Sequence, residues 1–137
     1  MTLNLGCGFN NRKFGDIDLD INIGAEPDVC SNCEQLPFKD EIFDTVKALH
    51  VLEHVDDIVS VMDECWRVLK QDGDMQIAVP MFPHEHAIAD PTHKRFFVPL
   101  TFSYFVKKGR LTGLKHIWEG HVLRENGKEI VCVLKKV

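Results

Sequence analysis

The spacing of apolar and polar positions along this chain separates strands from helices before any motif is considered. Leu3 and Leu5 bracket the polar Asn4, and Ile17, Leu19 and Ile21 alternate with Asp18 and Asp20, the two-residue period of strands. Thr2 to Leu5 therefore reads as strand one and Ile17 to Ile21 as strand two. About eleven residues separate them, near the minimum for a crossover between parallel strands, with room for a turn of helix at most. Pro27 to Cys30 predicts a short third strand, Leu36 to Phe38 a turn, and Phe43 to His50 a fourth strand. Asp56 and Asp57 are good capping residues, and beyond them Ile58, Met62, Cys65, Trp66 and Leu69 share one helical face. Gly73 is expected to end that helix. Met75 to Pro80 reads as strand five. Residues 83–99 hold three histidines and three prolines and read as an irregular loop, with a short aromatic-rich helix over Pro99 to Lys107. Asn126-Gly127 is a strong hairpin signal between His121–Arg124 and Lys128–Leu134. Strands alternating with helices and closing on a hairpin imply a mixed α/β sheet.

Composition narrows the classes. A chain of 137 residues reads as one domain, 1–137, and its net charge of −5 argues against nucleic acid as the main partner. Lys107, Lys108, Arg110 and Lys115 form the one basic patch of note and read as a solvated face. No apolar run reaches the roughly 18 residues of a membrane span, so no membrane association is expected. The start lacks the pattern of a secretory leader. Five scattered cysteines, an odd number, do not form a disulfide framework and point to a reducing, cytoplasmic compartment.

The segment Leu3-Asn4-Leu5-Gly6-Cys7-Gly8 carries the first chemical signal. A strand running into a Gly-x-Gly turn marks the carboxyl edge of an open α/β sheet, where small cofactors bind. A dinucleotide site would want a third glycine, and this chain has Asn11 there. A plain tight turn is the other alternative.

Taken in order, five segments resemble the small class I S-adenosylmethionine-dependent methyltransferases. They are Leu-Asn-Leu-Gly-Cys-Gly (3–8), Leu-Pro-Phe-x-Asp-x-x-Phe-Asp (36–44), His-Val-Leu-Glu-His-Val (50–55), Arg-Val-Leu-Lys-x-x-Gly (67–73) and Asp-Pro-Thr-His-x-Arg-Phe-Phe (90–97). The resemblance implies a Rossmann-like three-layer sandwich on a mostly parallel seven-stranded sheet, in the order 3-2-1-4-5-7-6 with strand seven antiparallel. It also implies S-adenosyl-L-methionine across the ends of strands one to four, with Asn4, Gly6, Cys7 and Gly8 at its methionine end. Asp20 would hold the ribose hydroxyls, with Asp18 as its rival on the same face. Asn32 would meet the adenine, with Cys33 beside it, and His50 would shape the cofactor site. Asn4 and Asn32 are amides where the family often carries acids, which lowers the expected grip.

His54 and His93 are the candidate catalytic residues, since a histidine at this edge can take a proton from the acceptor. The bland alternative has Glu53 and His54 opening a helix. Arg95 is a candidate for an anionic group on the acceptor. Cys30 and Cys33, or His84 and His86 with His93, raise the metal question, but neither set shows the four ligands of a structural zinc site, and no metal is expected. The family usually has helices ahead of strand one, reduced or missing here, so apolar surface around strands one to three is expected to be uncovered and to pair in a homodimer. The expected activity is methyl transfer to a small-molecule acceptor. The alternatives are a weak or inactive S-adenosylmethionine-binding module and a zinc-binding interaction domain.

Overall fold

The computed structural model describes residues 1–9, 14–106 and 111–137, with the side chains of His121 and Val122 also outside the description. Asn11 and the basic residues Lys107, Lys108 and Arg110 thus lie outside the described residues. The strands are β1 (Thr2–Leu5), β2 (Ile17–Asp20), β3 (Val29–Cys30), β4 (Phe43–Leu49), β5 (Leu69–Pro80), β6 (Trp118–Glu125) and β7 (Glu129–Lys136). Between them lie the helices α1 (Ile58–Val68), α2 (Glu85–Ile88) and α3 (Ser103–Val106), with 3-10 turns at Ile23–Ala25 and Pro99–Phe102. The seven strands form one sheet in the order β3-β2-β1-β4-β5-β7-β6, the order expected from the sequence. β1 to β5 run parallel, and β7 is antiparallel to both of its neighbours.

Register sorts the side chains into two unlike faces. Leu3, Val46, Met75 and Leu134 stand in one cross-strand row, and Leu5, Ala48, Ile77 and Cys132 in the next. Both rows are buried with Val61, Met62 and Cys65 of α1 and with Phe97, Phe102 and Phe105. Farther along β7 on the same face, the Lys136 ammonium sits 3.9 Å above the Trp66 ring of α1 and donates to the Leu69 carbonyl. The opposite face carries the rows Asn4, Lys47, Gln76, Val133 and Thr2, Thr45, Asp74, Lys135. Polar side chains dominate these rows, while around β1 to β3, where uncovered apolar surface was expected, Phe9, Phe14, Ile21 and Ile23 are exposed. Parallel strands covered on both faces read as apolar runs, so the alternation seen here matches a sheet with one principal core face.

Two boundaries differ from the sequence reading. The helix stops at Val68, not at Gly73, and Leu69 already begins β5. The pairing of β4 with β5 slips between Phe43 and Thr45, and Asp72 takes a left-handed φ of 64°. Gly73 is required by close backbone approach: a Cβ there would lie 2.9 Å from the Lys70 carbonyl oxygen and 3.0 Å from that of Asp44. The loop of residues 83–99 contains α2, the first hairpin strand begins three residues earlier than expected, at Trp118, and the second ends two residues later, at Lys136. α1 begins as expected, with Asp57 Oδ1 accepting from the Ser60 amide at 3.1 Å.

Candidate functional site

Two adjoining cavities open where β1, β2 and β4 end. The first, about 440 Å³, is lined by Gly6, Asp20, Asn32, Cys33, His50 and His54, with Leu19, Ile21, Val51 and Val55 as apolar wall. The second, about 480 Å³, is lined by His50, Glu53, His54, His86, His93 and Glu129 among others. His50 and His54 belong to both.

The first cavity is shaped by backbone turns. Gly6 adopts φ +59°, and a Cβ there would lie 2.4 Å from Val51 Cγ2, so the turn fits against the start of the 50–55 segment only without a side chain. Gly8 turns its amide onto Asp20 Oδ2 at 2.8 Å, while Asp20 Oδ1 accepts from Asn22 N at 2.8 Å. Each carboxylate oxygen keeps a further lone pair, and the group lines the cavity. Asn32 Oδ1 accepts from Glu34 N at 2.9 Å, which leaves its amide nitrogen for other work. Cys33 lines the wall as a neutral thiol, burial pushing it up to about 11.

Other expected residues lie elsewhere. Asn4 is fully buried and donates to Asp18 Oδ1 at 2.9 Å, under the sheet edge rather than on the cavity wall. This also separates the two aspartates, since Asp18 is occupied there and Asp20 faces the cavity. Cys7 is buried, with its amide on the Leu19 carbonyl at 3.1 Å. Cys30 is exposed, and its thiol points to the Ile21 carbonyl. Arg95 is no anion hook: it donates to the carbonyls of Leu52, Val55 and Asp56, clamping the turn after β4. Glu53 and His54 sit in that turn and do not open a helix, which begins only at Ile58.

His50 holds φ +56°, donates its amide to Ala78 O at 2.8 Å, and places Nε2 2.7 Å from Glu129 Oε2. His54 and His93 stack edge to face, with ring centroids 4.8 Å apart, on the side of the second cavity. Sequence reasoning set Glu53 beside His50 and His54 but missed its meeting with His93, and it missed Thr92, whose hydroxyl joins His54 Nδ1 at 3.0 Å to Asp90 Oδ1 at 2.7 Å. It also missed the Lys94–Asp56 ion pair on the first cavity's rim. The Asp-x-Thr spacing was the available signal for Thr92.

The first cavity lies at the carboxyl ends of parallel strands beside a Gly-x-Gly turn. Residues 19–77 match the family described as methyltransferase domain. The fold agrees: a presumed methyltransferase of Bacillus halodurans C-125 superposes with a TM-score of 0.76 at 15% identity, over 98% of this chain and 91% of that one. The family match spans 59 of the 137 residues, and the likeness over the whole chain is one of fold. An S-adenosylmethionine-dependent methyltransferase of Archaeoglobus fulgidus superposes with a TM-score of 0.67 at 18% identity, over 98% of this chain and 85% of that one. An uncharacterised protein of Methanocaldococcus jannaschii is 35% identical over 91 residues, 58% of this chain and 40% of the relative. The chain thus spans about two fifths of that relative's length. No helix among the described residues is long and apolar enough to cross a membrane.

Proposed function

We propose that this domain transfers a methyl group from S-adenosylmethionine to an acceptor that enters through the second cavity. The observation that carries the reading is the cavity running from Asp20 to His54 at the carboxyl ends of the strands, with its far wall shared by a second cavity. Its volume of about 440 Å³ lies within the range of small-molecule sites, roughly 300–1,000 Å³.

The residues present suit the donor. Asp20 offers two acceptor oxygens to neighbouring hydroxyls, and Asn32 offers an amide to a heterocycle edge. Leu19, Ile21 and Cys33 supply apolar wall for a flat ring system, and the neutral thiol adds no charge. Gly6 leaves the turn free of a side chain, so backbone can approach the amino-acid half closely. Asn4, buried against Asp18, is not one of the holding residues in this reading.

When bound, S-adenosylmethionine supplies an electrophilic methyl on a sulfonium. The protein's contribution is alignment and the exclusion of water, which can supply on the order of 7–11 kcal/mol of a barrier. His50, held by Glu129 and by its own backbone bond to β5, fixes the wall between donor and acceptor. His54 and His93 face the acceptor side.

Calorimetry with S-adenosylhomocysteine tests the reading. The folded protein is expected to bind it, and Asp20→Asn to weaken binding at least tenfold, about 1.4 kcal/mol. No heat with either donor or product on folded protein would overturn the proposal. Product binding with no turnover across an acceptor panel favours the inactive binding module.

A further inference from the structure

We propose that Glu53, His54 and His93 form a binding site for one divalent transition-metal ion of the zinc, manganese and cobalt class. One carboxylate oxygen and one nitrogen from each ring lie within 4.8 Å of one another. They come from two segments some forty residues apart, brought together by Arg95, which clamps the 52–56 turn, and by the Lys94 amide, which donates to the Glu53 carbonyl at 2.7 Å.

Glu53 is the pointer to a ligand. It is 1% exposed, and its Oε2 has no hydrogen-bond partner. A buried carboxylate oxygen left so is costly, and a cation meeting it removes the cost. Its nearest basic atoms, His54 Nε2 at 3.7 Å and His50 Nδ1 at 3.9 Å, stand beyond hydrogen-bonding distance of Oε1.

The hydrogen bonds on the far side of each ring decide which nitrogen is bare. His93 Nδ1 lies 2.7 Å from the Ala87 carbonyl, which can only accept, so Nδ1 carries a proton. Thr92 gives its hydroxyl proton to Asp90 Oδ1 at 2.7 Å, so at 3.0 Å it must accept from His54 Nδ1. In their neutral form both rings therefore present an Nε2 lone pair. Two lone pairs and a carboxylate converging on one small volume repel each other without a cation among them. Rings held through Nδ1 by a carbonyl or a carboxylate relay are the usual support of metal-ligating histidines.

Two imidazoles and a carboxylate favour a first-row transition ion over magnesium or calcium, which prefer oxygen alone. Metal–ligand bonds of about 2.0–2.2 Å would draw the three atoms closer than they stand, within the reach of side-chain rotation. The His-x-His at 84 and 86 is engaged differently: His84 Nδ1 accepts from the His86 amide at 3.1 Å and caps α2. The ion's remaining positions would open on the second cavity. If methyl transfer is the activity, the acceptor then brings an oxygen able to bind a metal; this extension, unlike the site itself, rests on the methyl-transfer reading.

The experiment titrates metal-free protein with Zn²⁺ by calorimetry and with Co²⁺ by absorption, in a Cys30→Ser background that removes the exposed thiol. S-adenosylhomocysteine is titrated into the same samples. One Zn²⁺ per chain is expected, weakened at least tenfold by Glu53→Gln and by His93→Asn, with the S-adenosylhomocysteine affinity kept, and unchanged by His84→Asn. No stoichiometric uptake by folded protein overturns the site. So does uptake indifferent to both Glu53→Gln and His93→Asn, or a loss in His84→Asn as large as theirs. Zn²⁺ uptake without S-adenosylhomocysteine binding sinks the donor reading alone, and the converse sinks the metal site alone.

Discussion

The two cavities share a wall and are built on opposite terms. In the first cavity Asp20 is engaged with two backbone amides and Asn32 with one, and the Gly6 turn is set by sterics against Val51. On the histidine side a carboxylate is buried with one oxygen unpartnered, and a nitrogen from each of two rings lies within 4.8 Å of that carboxylate. The first arrangement is complete and waits for a ligand to fill space. The second carries a local cost that a ligand relieves. Preorganisation and stored electrostatic strain thus sit a few ångströms apart, each at the end of a parallel strand.

Substitutions can break that contrast. Gly6→Ala is expected to have the largest effect: a Cβ at 2.4 Å from Val51 Cγ2, on a left-handed backbone, costs about 2–4 kcal/mol and abolishes product binding. Denaturant unfolding and calorimetry measure both, and a variant matching the parent would remove the steric account of the turn. Arg95→Met frees three carbonyls of the turn that carries Glu53 and His54, and is expected to lower stability by about 1–3 kcal/mol, read from the same unfolding curves.

Next in size is a pair of opposite sign. In metal-free protein, Asp20→Ala is expected to destabilise by about 1 kcal/mol through two lost charge-assisted bonds. Glu53→Gln is expected to stabilise by a similar amount, about 1 kcal/mol, by removing an uncompensated buried charge. Thermal melts of the two side by side decide it; a loss in both would mean that Glu53 is satisfied as it stands.

A smaller effect concerns pH. Glu64 accepts from Arg67 and from the Leu36 amide, and the Arg67 guanidinium holds it below the usual glutamate range. Because its folded value is depressed, its contribution is present in full above the ordinary value of 4.5 and fades as pH falls through the folded value. Since Arg67 also holds the carbonyls of Leu36 and Phe38, donor-side order should weaken with it in acid. Glu64→Gln should flatten that part of a stability-versus-pH curve. The smallest effect is self-association, for which the exposed Phe9, Phe14, Ile21 and Ile23 around β1 to β3 supply the apolar surface. Light scattering at micromolar concentration, showing a monomer throughout, would end the homodimer expectation.

Much of this architecture was legible in the residues. The two-residue period around Leu3, Leu19 and Val46 placed β1, β2 and β4, and the Gly-x-Gly turn located the first cavity. Even the one-sided sheet could be read, since Asn4, Asp18, Lys47 and Gln76 interrupt strands that would otherwise be apolar runs. Asp20 was separable from Asp18 by its place along the strand. What escaped the sequence depends on contacts between distant segments. Nothing local says that Arg95 reaches back to residues 52–56, or that Glu53 meets His93. Gly73 misled because a glycine after a helix usually caps it, whereas here two backbones pass too close for a side chain.

The rings of His50 and His54, standing in both walls at once, have a thermodynamic consequence. Any occupant of one compartment that shifts either imidazole alters the affinity of its neighbour, and linkage requires the influence to be equal in both directions. A tighter grip on S-adenosylhomocysteine in the presence of Zn²⁺ must therefore be mirrored, factor for factor, by a tighter grip on Zn²⁺ in the presence of S-adenosylhomocysteine.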